Sequence, residues 1–315
     1  MYYLSELKNL KYQFFQFFCL KFSDITLSMW IALVLFYGIC KGIREVGKKE
    51  ALKTSSTFEV LLIYSVISFL FVLPDFKNAL GLETKYYVYI GIKSSVIFLA
   101  WIFSFIAIKK LPISLYGVLD LSRVLFASFS GLIILHETMN LLQWAGLALV
   151  CIGLISLKFS KKKTCESSEK TQKPQTVFVI LAFASCALNG ISGLLDKILM
   201  RQINSSQLQF WYMLFIVLLY TAYSIITKQN IRIVKTLKNP WVWLISILFV
   251  ISDRALFIAN GMEGSRITVM TMLKQSGTLV TILAGKFIYK EEGILHKLIC
   301  ATIIVTGILF GVLFK

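Results

Sequence analysis

The sequence has few of the residues that soluble enzymes use for chemistry. It contains two histidines, four prolines and 16 acidic residues among 315, and its six cysteines form no CxxC pair. A zinc site needs closely spaced His or Cys ligands, so no metal is expected. The sequence also lacks a glycine-rich phosphate loop and a GxSxG motif. We therefore expect no enzyme activity and no cofactor.

Long apolar runs dominate what is present, since 57% of the residues are hydrophobic. A helix needs about 20 mostly apolar residues to cross a bilayer, whereas a barrel would show shorter alternating strands. The runs are 27–46, 57–73, 86–108, 113–135, 142–158, 176–198, 206–226, 241–260, 267–289 and 295–314. They predict an all-α integral membrane protein with ten transmembrane helices. The expected location is the cell membrane, as a multi-pass protein.

The net charge of +17 does not indicate nucleic acid in such a protein. Lysine-rich loops that face anionic lipid headgroups explain it, so the lipid bilayer is the expected partner. Before the first run, residues 1–26 alternate apolar residues with lysines at helical spacing. This segment is either an interfacial amphipathic helix or a disordered tail.

A polar segment at 159–175 divides the chain into two halves, 27–158 and 176–315, with five apolar runs in each. Its composition predicts a flexible linker. A shift of 154 residues places PISLYGVLDLSRVLFASFSGLIILHE (112–137) on RITVMTMLKQSGTLVTILAGKFIYKE (266–291). Because five is odd, the second half must enter the membrane in the opposite direction. Inverted repeats of this kind let two halves of a transporter rock around a central site.

The ends of both halves resemble one family. GLIILHETMNLLQWAGLALVCIGLISL (131–157) and GKFIYKEEGILHKLICATIIVTGILFGVL (285–313) are similar to EamA-like members of the drug/metabolite transporter superfamily. The resemblance implies a ten-helix transporter with both termini in the cytoplasm, whereas the lysine-rich odd-numbered loops favour both termini outside. Family members commonly carry a proline where this chain has Arg123 and Gly277. Substrates of better-known members therefore do not carry over.

Charged residues inside the apolar runs are the candidate substrate site. A charge at the bilayer centre costs about 2.5–3.5 kcal/mol, so such residues usually have a function. We expect Asp120 and Lys274, which match across the repeat, to lie near each other across a cavity, with Arg123 paired to Asp120 or Asp253. The alternative is a set of buried pairs that only hold the helices together. The predicted substrate-binding residues are Asp120, Arg123, Lys274, Asp253, Arg254, Gln275, Tyr116, Trp101 and Lys93.

The charges also indicate the kind of solute. Further charges expected along the cavity are Lys41, Arg44, Glu45 and Asp196. Together these groups contain more bases than acids, which favours a cargo with an anionic group. Glu137 and Glu291 match across the repeat at the ends of their runs, where they either support the following turns or couple transport to protons.

The leading hypothesis is a secondary-active or facilitative transporter of a small organic solute that works by alternating access. The solute would be a metabolite, an amino acid-like compound or another anionic or zwitterionic molecule. A proton or other ion, exchange, or the solute's own gradient could drive it. The alternative is a non-transporting membrane receptor or scaffold with the same fold.

Overall fold

The structure is a computed structural model that describes residues 29–134, 136, 140–156, 172–228, 231–291 and 294–313. The predicted amphipathic segment at 1–26, most of the linker and Glu137 lie outside these residues. Every regular element in the described part is a helix, so the all-α prediction is confirmed. The helices are α1 (29–54), α2 (Thr57–Val72), α3 (Phe76–Ala79), α4 (Thr84–Lys110), α5 (Ile113–Asp120), α6 (Arg123–Ile134), α7 (Leu141–Ser156), α8 (Gln172–Leu199), α9 (Ser205–Ile226), α10 (Ile233–Leu237), α11 (Pro240–Gly261), α12 (Ile267–Leu273), α13 (Gly277–Phe287) and α14 (Ile294–Leu313).

Six helical segments in the described ranges are long and apolar enough to cross a membrane. They are Thr57–Ala79, Thr84–Lys110, Ile113–Ile134, Thr176–Leu199, Ser205–Ile226 and Pro240–Gly261. Two shorter apolar segments, Trp144–Gly153 and Ile294–Gly307, lie within α7 and α14. A multi-pass membrane protein follows from these lengths, while the full number of ten spans stays a prediction.

Local sequence sets several helix starts. Ser56 and Glu59 form a capping box at α2, in which each side chain accepts a hydrogen bond from the other residue's backbone N–H. Asn204 and Gln207 repeat the arrangement at α9. Such boxes satisfy N–H groups that the first turn of a helix leaves without partners. The starts of these two spans are therefore encoded by four polar residues.

Two helices extend beyond the predicted boundaries. The first run was expected to end at 46, but α1 continues to residue 54. The added turns carry the ion pair Glu50–Lys53 and the lysine of the pair Glu45–Lys48, and the partners of each pair are three residues apart on the helix. At the other boundary, α8 begins at Gln172, inside the predicted linker. Its early proline is compatible with helix because the first turn does not need that N–H.

The fourth and ninth predicted spans each contain a short tight turn that interrupts the α-helical hydrogen-bond pattern. α5 ends at Asp120 and α6 begins at Arg123, and between them Ser122 N–H bonds to the carbonyl of Leu119, three residues back. In the second half a 3₁₀ turn at Lys274–Ser276 separates α12 from α13. The 154-residue shift carries 120–122 onto 274–276, so both breaks occur at the same repeat position. A short 3₁₀ stretch within a long helix often marks a functional hinge.

The last helices of the two halves pack through reciprocal glycine contacts. A Cβ on Gly153 would lie 3.0 Å from the carbonyl oxygen of Cys300, and one on Gly307 would lie 2.5 Å from the carbonyl oxygen of Gly146. The 154-residue shift converts the first contact into the second. α7 and α14 therefore meet through equivalent faces, as a two-fold relation between the repeats requires.

Glu291 joins the two halves at one end of the bundle. It accepts hydrogen bonds from the backbone N–H of Ile113 at 2.7 Å and of Ser114 at 3.3 Å, and from the Ser114 hydroxyl. Lys297 lies 3.3 Å from the same carboxylate. Glu291 therefore caps the start of α5 in the opposite half, a long-range role that differs from the local turn contact expected.

Candidate substrate cavity

A polar cavity lies where the two halves meet. The first half contributes residues from α1, α2, α4 and α6, and the second contributes residues from α8, α9, α11 and α12 together with Lys274. The free space is about 70 Å³. Because each water occupies about 30 Å³ in the liquid, this space has room for only a few.

One face of α1 forms a charged wall of this cavity. Tyr37, Lys41, Arg44 and Lys48 all line it, at intervals of three or four residues. That spacing places side chains on one side of a helix. Tyr37 and Lys48 were missed by the sequence argument, although their spacing from Lys41 and Arg44 was the signal that would have found them.

Ion pairs across the cavity connect the halves. Arg44 of α1 lies 3.6 Å from Asp253 of α11, and Lys93 of α4 lies 3.2 Å from Asp196 of α8. In both pairs the base belongs to the first half and the acid to the second. Both pairs are buried, so separating them would be costly in a medium of low dielectric constant.

Asp120 is held by two bases of its own half. It accepts hydrogen bonds from Lys41 and from Arg123, the latter at 2.7 Å. It lines a smaller space beside the main cavity, together with Tyr116. The structure therefore confirms the Asp120–Arg123 pairing but not a pairing of Asp120 with Lys274. Lys41 takes that place because α1 crosses close to the α5–α6 break.

α1 approaches so closely because glycines meet at the crossing. A Cβ on Gly277 would lie 2.3 Å from the carbonyl oxygen of Gly38 and 2.9 Å from the backbone nitrogen of Gly42. Small residues four apart allow such backbone contact between membrane helices. The contact brings Lys41 to Gln275, whose side-chain oxygen accepts a hydrogen bond at 3.3 Å. Gln275 is itself buried.

Lys274 differs from the other buried bases of the cavity. Its side chain is buried, with 7% of the residue exposed, and it lines the cavity. Among the residues that the structure describes, no carboxylate oxygen lies within 4.0 Å of its ammonium, whereas Lys41, Arg44, Lys48, Lys93 and Arg123 each have one. The ring of Tyr37, centred 5.8 Å away, is a cation–π neighbour.

The remaining predicted residues divide between the cavity and its surroundings. Trp101 lines the cavity, and the Lys93 ammonium lies 3.5 Å from the centre of the Tyr212 ring. Tyr116 shares a hydrogen bond of 2.6 Å with Ser104 and faces the smaller space. Lys93 and Trp101 therefore border the main cavity, and Tyr116 borders the smaller space beside it.

Arg254 was predicted to bind substrate but does not line the cavity. It contacts Ser206, Gln209 and Asp75, away from its neighbour Asp253. Consecutive residues of an α-helix point about 100° apart, and here Asp253 lines the cavity while Arg254 reaches Asp75 and residues of α9. A role of Arg254 in substrate binding therefore stays a prediction, because the charged pair in the sequence does not indicate which of its two residues faces the cavity.

Comparisons with known proteins agree with this architecture. The model of the EamA-like transporter family matches residues 28–158 and 176–313, once in each half. A solved structure described as "Crystal structure of protein" has a TM-score of 0.64 and 13% identity, over 92% of this chain and 97% of that one. This likeness concerns the fold alone. No curated protein sequence matches the chain. The chain belongs to the EamA-like transporter family and is, at that level, a membrane transporter of small solutes.

Proposed function

We propose that this protein is a secondary carrier, ion-coupled or facilitative, that moves a small organic solute with an anionic group by alternating access. The observation that carries the proposal is Lys274, a buried ammonium that lines the cavity without a carboxylate partner among the described residues. An uncompensated charge in a membrane is costly. An anionic group of the solute would stabilise it.

The acids of the cavity are already engaged, which leaves Lys274 available. Asp253 lies beside Arg44, Asp196 beside Lys93 and Glu45 beside Lys48. A cationic solute would have to displace one of these bases, whereas an anion meets Lys274 directly. A zwitterion fits as well, because Asp196 and Asp253 line the same cavity and could share their bases with its cationic group.

The repeat architecture supports alternating access as the mechanism. The α7–α14 contacts are reciprocal, and both interrupted helices lie beside the cavity. Related halves can exchange conformations across the membrane around one central site. The ion pairs Arg44–Asp253 and Lys93–Asp196 connect the halves at that site. These ion pairs would rearrange as the two halves move between their two conformations.

The cavity is small compared with known ligand pockets. Pockets for drug-sized ligands occupy about 300–1000 Å³, whereas the free space here is about 70 Å³. We infer a narrow form of the cavity, in which long lysine and arginine side chains occupy the volume that a solute would take. Side-chain rotation and helix movement would be needed to admit it.

The experiment begins with a thermal-shift screen of the purified protein against anionic, zwitterionic and cationic metabolites, since a ligand stabilises the state that binds it. Compounds that stabilise the protein are then tested for uptake into liposomes that contain it. We expect anions or zwitterions to be selected and transported. Selection of cations alone would contradict the proposal, and binding without uptake would favour a receptor.

The variant Lys274→Gln tests whether Lys274 binds the anionic group of the solute. A hydrogen bond to a charged group contributes about 1.5–3 kcal/mol, so we expect affinity for the solute to fall about 10- to 100-fold. Lys274→Arg keeps the charge and should retain more affinity. Lys286→Gln is the matched control, because Lys286 is exposed on α13. Equal uptake by wild type and Lys274→Gln would overturn the role of Lys274.

A further inference from the structure

Two grooves on the outside of the bundle meet at Trp241. One is apolar, has a volume of about 420 Å³ and is lined by side chains that include Ile43, Val46, Leu283 and Phe287. The other, called the polar groove because charged residues line part of it, has a volume of about 400 Å³ and contains three lysines, which are Lys53, Lys235 and Lys238. Trp241 lines both grooves.

α1 shows that the two grooves form one continuous surface. Ile43 and Val46 line the apolar groove, and Glu50 and Lys53 line the polar one. These four residues recur every three or four positions, so they lie along one helix face. The surface therefore changes from apolar to charged along a single line of α1.

The polar groove has an excess of positive charge. Lys53 is 2.7 Å from Glu50, which compensates its charge. Lys235 and Lys238 are exposed, and in the described part of the chain neither has a carboxylate within 4.0 Å. Their charges face solvent or headgroups without an internal counterion.

The residues around this junction are of the kinds that are common at a membrane surface. The short helix α10 exposes Ile233, Val234 and Leu237 around Lys235. Exposed apolar side chains beside lysines are typical of helices that lie in the interface. Trp241, with 38% of its surface exposed, lies at the start of the candidate span Pro240–Gly261, and tryptophans concentrate at such span ends, between acyl chains and headgroups.

We propose that the joined grooves bind one anionic phospholipid, with its phosphate at Lys235 and Lys238 and one acyl chain in the apolar groove beside Trp241. Basic pockets beside apolar helix surfaces recognise anionic headgroups in this way. A free phosphate would leave the apolar groove unused. A second copy of this chain, docked symmetrically on the same face, would bring the same lysines together, and their positive charges would repel each other. The site is separate from the central cavity and does not depend on the proposed transport.

Native mass spectrometry of the purified, delipidated protein tests the site by titration with phosphatidylglycerol and phosphatidylcholine of identical acyl chains. We expect phosphatidylglycerol to bind more tightly. Each lysine near a membrane surface contributes about fivefold, so Lys235→Gln/Lys238→Gln should weaken phosphatidylglycerol binding about 30-fold and leave phosphatidylcholine binding unchanged. Lys110→Gln/Lys228→Gln is the matched control, because these exposed lysines lie outside both grooves.

Three results would overturn the proposal. Equal binding of the two lipids would remove the headgroup preference, and equal losses in the two double variants would make the effect one of net charge. Competition by glycerophosphoglycerol, the headgroup without chains, as effective as competition by the intact lipid would identify a soluble anion site instead. A selective loss in Lys235→Gln/Lys238→Gln, without competition by the chain-free headgroup, supports the lipid.

Discussion

Replacing Asp120 with asparagine removes the carboxylate that Lys41 and Arg123 share. The side chains of Lys41, Asp120 and Arg123 are exposed by only 7%, 6% and 14%. At the 2.7 Å that separates Arg123 from Asp120, Coulomb attraction is about 6 kcal/mol for an effective dielectric constant of about 20. Desolvation of the ions offsets most of this attraction in the intact cluster.

The variant keeps the desolvation cost and loses the attraction. Asparagine leaves two buried cations beside each other without an anion, and breaking a buried pair in this way costs about 3–5 kcal/mol. We therefore expect Asp120→Asn to lower the free energy of unfolding by about that amount. Chemical unfolding of the purified protein in detergent measures it.

Two further variants show whether the reasoning is right. Glu83→Gln breaks the Lys85–Glu83 pair, whose atoms are also 2.7 Å apart but whose side chains are exposed. Surface pairs contribute little to stability, so this variant should remain near wild type. Asp120→Asn/Lys41→Met should lose less than the sum of its single changes, because the second substitution removes one unpaired cation. The reasoning is refuted if Asp120→Asn is no less stable than Glu83→Gln.

Two other predictions concern the helix crossing and the link between the halves. Gly277→Ala should sharply reduce the yield of folded protein, since its Cβ would lie 2.3 Å from the Gly38 carbonyl oxygen. Gly91→Ala is the control, because a Cβ there meets nothing within 4 Å. Its free energy of unfolding should equal that of the wild type or exceed it by about 0.5–1 kcal/mol. Equal yields would contradict this. Burial raises the pKa of Glu291, but hydrogen bonds such as that from Ser114 outweigh burial, so the pKa lies below its usual value. The ionised Glu291 carboxylate therefore stabilises the fold above the usual carboxyl pKa, and this stabilisation is lost as the pH falls through the lowered pKa. Between about pH 7 and about pH 3, the melting temperature of the wild type should fall more steeply than that of Glu291→Gln. Parallel melting-temperature curves for the two proteins would contradict this prediction.

The positions of the two helix breaks were only partly predictable from the sequence. The repeat matched Asp120 with Lys274, and the structure places both residues where their helices are interrupted. The sequence contained the correspondence but not the breaks, because no proline marks them and the apolar pattern runs through both. The interruption in the ninth span lies where α1 packs closely against Gly277, a contact that only the tertiary structure shows.

Hydrophobicity and its period are local properties, so the sequence alone determined the membrane class, the helical fold, the inverted repeat and the family. It also identified which residues carry charge inside the apolar runs. Their partners depend on which helix faces meet, and that is decided by packing between segments far apart in the chain. The tertiary structure therefore decided that Asp120 pairs with Lys41 and that Arg254 turns away from the cavity. Within the described residues it also left Lys274 with no carboxylate oxygen within 4.0 Å of its ammonium, because the cavity acids Asp196 and Asp253 pair with Lys93 and Arg44.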